Sequence, residues 1–347
     1  MIPFTIDTHS YDLSKALPKA FARELYTLWN DDAGIFYLSE IEKNKLRQIV
    51  ETLPDNVRRR FTLLLDELPI HSSSSLVVSD EMNRAYLDRY QKSHPKINII
   101  ITSAEYWDKT IKHPDDGENE IDRKRPLSVC RSGEVLYSDI LRKIKNIKNA
   151  PIINRDKALE IWRTRFQDVF ECESSKLIAI VDRYAFAHVA DEDSFFQSGI
   201  YKFITNTLEI KIKKHITIYV ASPSPNKDER DSMERNSLDY SEWQKRRVLN
   251  WERLLRQTPV PEKGSLTLVV VPDKEYGMVA HDRYIRAGRV CWEIGCGMEV
   301  FQDKRMHENI SLNIRSNDEI VRKCDRVETK LNTYSKNEFG RRIVIYS

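Results

Sequence analysis

Three runs of apolar residues, Leu177–Val181, Ile216–Ala221 and Ser265–Val271, do most to limit what this chain can fold into. Each has the length of a strand. Between them lie two segments with helical periodicity, Phe195–Ile212 and Tyr240–Leu255, and a charged, solvated loop is expected at 222–238. Strands that alternate with helices cannot pair as hairpins. They predict crossover connections and a parallel core of strands covered by helices. Residues 278–300 then read as two short strands around a turn, which adds an antiparallel part. A mixed sheet flanked by helices is therefore expected over 171–347.

The first half predicts a second α/β domain. Phe4–Asp7 reads as a strand, and Leu13, Leu17, Phe21, Leu25 and Leu28 form one helical stripe. Ile35–Leu38 reads as a strand. Glu40–Thr52 reads as a helix that buries Leu46, Ile49, Val50 and Leu53. Pro54 opens a further helix through Phe61, Leu64, Leu65 and Leu68, which Pro69 and the serines at 72–75 should end. Leu76–Val78 and Ile97–Ile101 are strand candidates around an Asp80–Gln91 helix. The pattern predicts a parallel sheet in residues 1–170, with the boundary after an Asp156–Phe170 helix. A length of 347 residues fits two domains.

Composition excludes several classes. The net charge is only +3, too balanced to mark a nucleic-acid binder by bulk charge. No apolar run approaches the roughly 20 residues that span a bilayer. The opening residues lack the basic start and apolar core of a secretory leader. Cys130, Cys172, Cys291, Cys296 and Cys324 form no CxxC pair and read as reduced thiols, so a soluble, cytoplasmic protein is expected. His71, His94, His113 and His188 have no ligand-spaced partners. Gly295-x-Gly297 lacks the context of a dinucleotide loop.

The segment Met278-Val-Ala-His-Asp-Arg-Tyr-Ile285, followed by Arg289-Val-Cys-Trp-Glu-Ile-Gly-Cys-Gly-Met-Glu-Val-Phe301, resembles the C-terminal domain of the MIT-domain proteins, which has a phospholipase D-like fold. The strand end Val181-Asp182-Arg183-Tyr184 suits the same fold, and the likeness covers about 176–315. The resemblance implies that His281 and Arg283 hold the places of a nucleophilic histidine and a phosphate-neutralising lysine. His281 would then sit on a strand near the sheet centre. In active relatives that histidine attacks phosphorus, and arginine can still clamp phosphate with two parallel bonds. Two departures argue against catalysis. Gly288 replaces the expected acid, and Gly295-Cys296-Gly297-Met298 replaces Gly-Ser-x-Asn. Active members need two histidines, so a single motif implies a homodimer. The plainer alternative makes His281 a structural histidine, with Asp282 and Arg283 as a local ion pair.

The first half resembles the PIN-like nucleases, over about residues 1–110. Phe4-Thr-Ile-Asp7-Thr8, Leu38-Ser39-Glu40, Ser79-Asp80 and Ile99-Ile-Ile-Thr102-Ser103-Ala104-Glu105 stand where that family has acids after strands. The resemblance implies that Asp7, Glu40, Asp80 and Glu105 hold magnesium or manganese, which activates water for phosphodiester cleavage. An aspartate would be expected at Ala104. The plainer alternative makes Glu40 and Asp80 helix N-caps.

Three basic stretches remain: Arg142, Lys143, Lys145 and Lys148; Lys211, Lys213, Lys214 and His215; and Lys245, Arg246, Arg247, Arg253 and Arg256 beside Trp243 and Trp251. Basic residues interleaved with aromatics can bind nucleic acid, whereas a solvated helix face with tryptophans in the core is the plainer alternative. Together the likenesses imply a phosphodiester-handling protein, a nuclease or nuclease-related effector of a bacterial defence system. Its partners would be nucleic acid and a protein from the same locus. The alternative is a non-catalytic adaptor that binds phosphate, nucleic acid or protein. A membrane role through phosphoinositides is weakened by the lack of an amphipathic basic helix with exposed aromatics.

Overall fold

The computed structural model describes residues 2–6, 24, 26–28, 34–67, 70–72, 99–102, 128–131, 158–171, 175–210, 213–259, 264–302, 311–316, 318–336 and 340–346. The chain divides into two compact units, Met1–Ala150 with Cys172–Ser174, and Pro151–Glu171 with Ser175–Ser347. Among the described residues no helix is long and apolar enough to cross a membrane.

The first unit contains β1 (Ile2–Ile6), β2 (Gly34–Leu38), α1 (Glu40–Glu51), α2 (Asp55–Glu67), β3 (Ile70–Ser72), β4 (Ile99–Thr102) and β5 (Ser128–Arg131). The strands form one sheet in the order β3-β2-β1-β4-β5. Every neighbouring pair is parallel. The chain builds outward from β1 to β3, then returns to the other side of β1, so the strand order reverses between β1 and β4. The start of α1 is fixed by a reciprocal cap. Ser39 Oγ accepts the Glu42 N–H at 3.2 Å, and the Glu42 carboxylate accepts the Ser39 N–H at 2.7 Å. Leu46, Ile49, Val50 and Leu53 are buried, as the periodicity predicts. The break expected at Pro69 is followed at once by β3, which uses only three residues. The expected strand Leu76–Val78 and helix Asp80–Gln91 lie outside the described residues, as does the stripe's first part, Leu13 to Leu25.

The second unit opens with α3 (Ala158–Arg165) and α4 (Gln167–Phe170). Then come β6 (Leu177–Val181), α5 (Glu192–Phe196), α6 (Gly199–Leu208), β7 (Lys214–Ala221), α7 (Lys227–Arg235), α8 (Tyr240–Leu255) and β8 (Gly264–Val271). The chain ends with α9 (Asp273–Val279), β9 (Tyr284–Ala287), β10 (Val290–Ile294), a 3-10 turn (Gly297–Phe301), β11 (Leu312–Arg315), α10 (Asp318–Tyr334) and β12 (Arg341–Tyr346). The sheet is seven-stranded and mixed, in the order β11-β10-β9-β6-β7-β8-β12. β6, β7 and β8 are parallel, and the remaining pairs are antiparallel. The mixed α/β character expected from the sequence is therefore present, and the sheet continues past residue 315 into β12.

The two faces of this sheet are covered differently. Ala179, Val181, Tyr219, Ala221, Val269, Val271 and Cys291 pack with Cys324 and Leu331 of α10. Trp292 follows Cys291 and so points to the opposite face. There it stacks on Phe166 at 4.8 Å between ring centroids, close to Phe170, and its indole N–H donates to the Arg165 carbonyl at 3.0 Å. Phe203 and Phe301 complete this aromatic layer. These contacts hold α3 and α4 against the second sheet, within the unit that contains Pro151–Glu171.

Two local readings are corrected. The single helix expected over Phe195–Ile212 is broken, because Ser198 turns out of helical geometry and its Oγ caps α6 by accepting the Tyr201 N–H at 3.2 Å. The expected loop at 222–238 contains α7, held by a capping box between Asn226 and Glu229 and burying none of its residues.

Candidate functional site

The three parallel strands of the second unit point the same way, so the residues that follow them gather at one edge of the sheet. Asp182 follows β6, Ser222 follows β7, and Asp273 follows β8 after Pro272. The antiparallel strands bring more groups to the same edge. Val181 pairs with Tyr284, so the start of β9, with Arg283 just before it, lies beside the end of β6. Glu293 also pairs with Tyr284, and the Ile294 N–H donates to the Arg283 carbonyl at 2.9 Å, which brings up Gly295, Cys296 and Gly297.

Asp182 organises this edge. It is buried, and its Oδ1 accepts the Tyr184 N–H at 3.0 Å while its Oδ2 accepts the Met298 N–H at 2.7 Å. One carboxylate thus ties the turn after β6 to the first residues of the 3-10 turn. Burial raises its pKa above the ordinary carboxylate range, against the opposing pull of the two N–H donors and of Arg283. Gly297 makes room for this arrangement. It has φ +67°, and a Cβ there would come within 2.3 Å of Asp182 Oδ2 and 2.9 Å of the Arg283 side chain.

Two guanidiniums flank the exposed ring of Tyr184, with Arg183 at 5.7 Å and Arg283 at 5.2 Å from its centroid. They differ in what they already hold. Arg183 grips Asp273 with two bonds, Nε to Oδ1 at 3.0 Å and Nη2 to Oδ2 at 2.7 Å. Ser222 Oγ accepts the Asp273 N–H at 3.1 Å and locks that partner. Arg283 has long contacts only, to the Gly295 carbonyl at 3.5 Å and to Asp182 Oδ1 at 3.9 Å among the described residues. Its donors are therefore largely unspent.

His281 lies in the loop before β9, not on a strand, and its exposed side chain makes no hydrogen bond among the described residues. Asp282 does not pair with Arg283. Its Oδ2 accepts from Lys323 Nζ of α10 at 2.7 Å. Gly288, where the resemblance would call for an acid, has φ +56° and forms with Arg289 the two-residue turn between β9 and β10. Cys296 offers no replacement nucleophile, since burial pushes its thiol up to about 11. Beside the site, Tyr184, His188, Ser198, Met298 and Glu299 line a recess of about 80 Å³, room for a few waters or a small ion.

Most of the described residues of the basic stretches are paired or buried, with Lys213 and Lys245 exposed. On α8, Arg246 pairs with Glu242, Arg247 with Glu229, Arg253 with Glu192 and Arg256 with Glu252. Trp243 and Trp251 are buried, and Trp251 stacks on Phe186 at 5.1 Å. Lys214 is buried with its Nζ on the Ser175 carbonyl, and His215 Nδ1 meets Ser265 Oγ at 2.8 Å. Lys211, Arg142, Lys143, Lys145 and Lys148 lie outside the described residues.

In the first unit, Asp7, Asp80 and Glu105 lie outside the described residues. Glu40 is exposed at the first position of α1, directly past β2. It is not the helix cap, because Ser39 and Glu42 fill that role. Among the described residues no group of three His, Cys, Asp or Glu side chains is placed to hold a metal ion.

Sequence reasoning named His281 and Arg283 but gave no role to Tyr184 or Asp273. An acid closely following each of two parallel strands was the available signal. No family model matches the chain, and no curated protein matches it significantly.

Proposed function

We propose that this chain handles phosphodiesters with a division of labour: the first unit cuts nucleic acid with a divalent metal, and the second recognises phosphate without cutting it. The strand order of the first sheet carries the reading. In an open parallel sheet, ligands bind outside the carboxyl ends of the strands where the strand order reverses, here between β1 and β4. In the chain, Asp7 follows β1 directly, Glu40 follows β2 after Ser39, and Glu105 comes soon after β4. Three of the four expected acids are thus attached to neighbouring strand ends. Magnesium or manganese, held by such carboxylates, supplies an activated water and offsets phosphate charge.

The experiment is cleavage of labelled single-stranded DNA and RNA by the full chain, with manganese, magnesium or EDTA. Cleavage that needs the metal is expected. Intact substrate under every metal condition would end the nuclease reading.

One observation favours a binding role for the second unit. Arg283 presents a nearly unspent guanidinium over the exposed Tyr184 ring, while the exposed His281 side chain makes no hydrogen bond among the described residues. That arrangement supports a clamp on phosphate with a base or sugar against the tyrosine, and gives no means of controlling a phospho-histidine step. The test is oligonucleotide binding in EDTA, where cleavage is silent.

A further inference from the structure

On the α10 side of the second sheet, two cysteines far apart in the chain face each other. Cys291 Sγ of β10 and Cys324 Sγ of α10 are 3.7 Å apart, and both are free thiols. Both are buried, at 1% and 3% exposure. Among the described residues no third ligand completes a metal group around them. The apolar cluster that holds them is bordered on one side by charged groups. Arg286 of β9 reaches over from the neighbouring strand, holding Glu328 through Nε at 2.7 Å and Asp325 at 3.1 Å, both on α10. The Tyr284 hydroxyl also donates to Glu328, at 3.4 Å.

We propose that Cys291 and Cys324 are an oxidation site, a dithiol that a peroxide converts to a disulfide joining α10 to β10. The contact distance carries this. A disulfide needs the sulfurs about 2.05 Å apart, so the pair must close by roughly 1.6 Å. The order of events follows from which sulfur gives up its proton. Between the two neutral thiols Cys324 Sγ donates to Cys291 Sγ. Once Cys324 loses its proton the bond reverses, and the Cys291 S–H, helped by the Arg286 charge, holds the Cys324 thiol below its ordinary value while Cys291 is raised.

The Cys324 thiolate attacks one peroxide oxygen. The O–O bond breaks, hydroxide leaves, and Cys324 becomes a sulfenic acid. Cys291 then attacks the sulfenic sulfur, and the S–O bond breaks as the S–S bond forms. The Cys291 proton leaves with the departing hydroxyl as water. The two thiols supply the two electrons that reduce the peroxide to water. With Cys291 already in contact, the sulfenic acid is trapped before it can be oxidised further. Burial sets the pace, because peroxide reaches the pair only when α10 moves outward.

The test treats the folded full chain, carrying Cys296→Ser to remove the neighbouring thiol, with hydrogen peroxide and separately with diamide. The sample is then alkylated under unfolding conditions and its peptides are weighed. The expected product is one linked pair of peptides containing Cys291 and Cys324, lighter by the two thiol hydrogens. Because the bond closes a loop of 33 residues, the Tm should rise on the order of 10 °C. Dithiothreitol should reverse the rise, and both Cys324→Ala and Cys291→Ala should abolish it, so one poorly folding variant does not decide the matter. Recovery of both cysteines alkylated, or of Cys324 as an unlinked sulfinic acid, overturns the proposal.

Discussion

Each sheet carries acid past the carboxyl end of a parallel strand, Glu40 in the first and Asp182 and Asp273 in the second, and they differ in what they already hold. In the second unit those acids are committed. Asp182 accepts two backbone N–H groups, and Asp273 holds Arg183. What remains for a ligand is a cation, Arg283. In the first unit, Glu40 follows β2 and has no capping duty, because Ser39 and Glu42 cap α1. Position at a strand end therefore does not make a carboxylate catalytic. What it already accepts decides whether it serves the fold or is left for metal and substrate.

The sharpest way to break this contrast is to remove a carboxylate from each edge. Asp7→Asn or Glu40→Gln should lower metal-dependent cleavage by about two orders of magnitude or more, with the Tm nearly unchanged. Cleavage at the wild-type rate in both variants would erase the difference between the edges. In the second unit the same kind of change should cost stability. Asp182→Ala leaves the Tyr184 and Met298 N–H groups without their acceptor, worth about 2–4 kcal/mol in all. A Tm drop of roughly 5–15 °C in calorimetry is expected.

Asp182 also sharpens the contrast through pH. Its folded pKa is raised by burial, so the folded protein holds the proton more tightly than the unfolded chain does. Its contribution is full below the unfolded value of about 4 and is lost as pH rises through the folded value. The stability of the wild type, measured against Asp182→Asn, should fall as pH is raised from about 4. A difference that stays level with pH would mean that the carboxylate is well solvated.

Smaller effects are expected in binding. Arg283→Ala should weaken oligonucleotide affinity about tenfold, or about 1.4 kcal/mol, in fluorescence anisotropy. His281→Ala should change it less than about twofold. The reverse ranking would make His281, and not Arg283, the principal phosphate contact. The smallest effect belongs to α8, where Arg246→Ala should shift stability by less than about 0.5 kcal/mol and leave binding alone, because its exposed ion pair contributes little.

Much of this architecture can be read from the chain. β6, β7 and β8 announce themselves as apolar runs because both of their faces are covered. The start of α1 is legible too, although its cap is Ser39 in a Ser39-x-x-Glu42 box and not the expected Glu40. Other elements leave fainter traces. β3 has three residues and follows a proline, so pairing with β2 decides its conformation more than propensity does. α7 buries nothing, which removes the periodicity that a helix reading needs; its Asn226-x-x-Glu229 cap was the remaining signal. The site was half legible. The His281-Asp282-Arg283 segment drew notice, but the bond from Met298 to Asp182 spans 116 residues and has no local pattern. Nor does the partnership of Asp282 with Lys323, which depends on where α10 packs.

The fit of Gly297 against Asp182 bears on heredity. With 2.3 Å between an added Cβ and the carboxylate, any side chain at 297 collides with the residue that anchors the turn. Losing that carboxylate alone strands two N–H groups. Neither position can drift by itself without a poorly folded intermediate. A library randomised at both sites and selected for folding should return glycine at 297 wherever 182 stays aspartate. Other residues at 297, asparagine foremost because it tolerates positive φ, should surface only beside a shortened residue 182. The pair would then descend as a single genetic unit, with each acting as the other's suppressor.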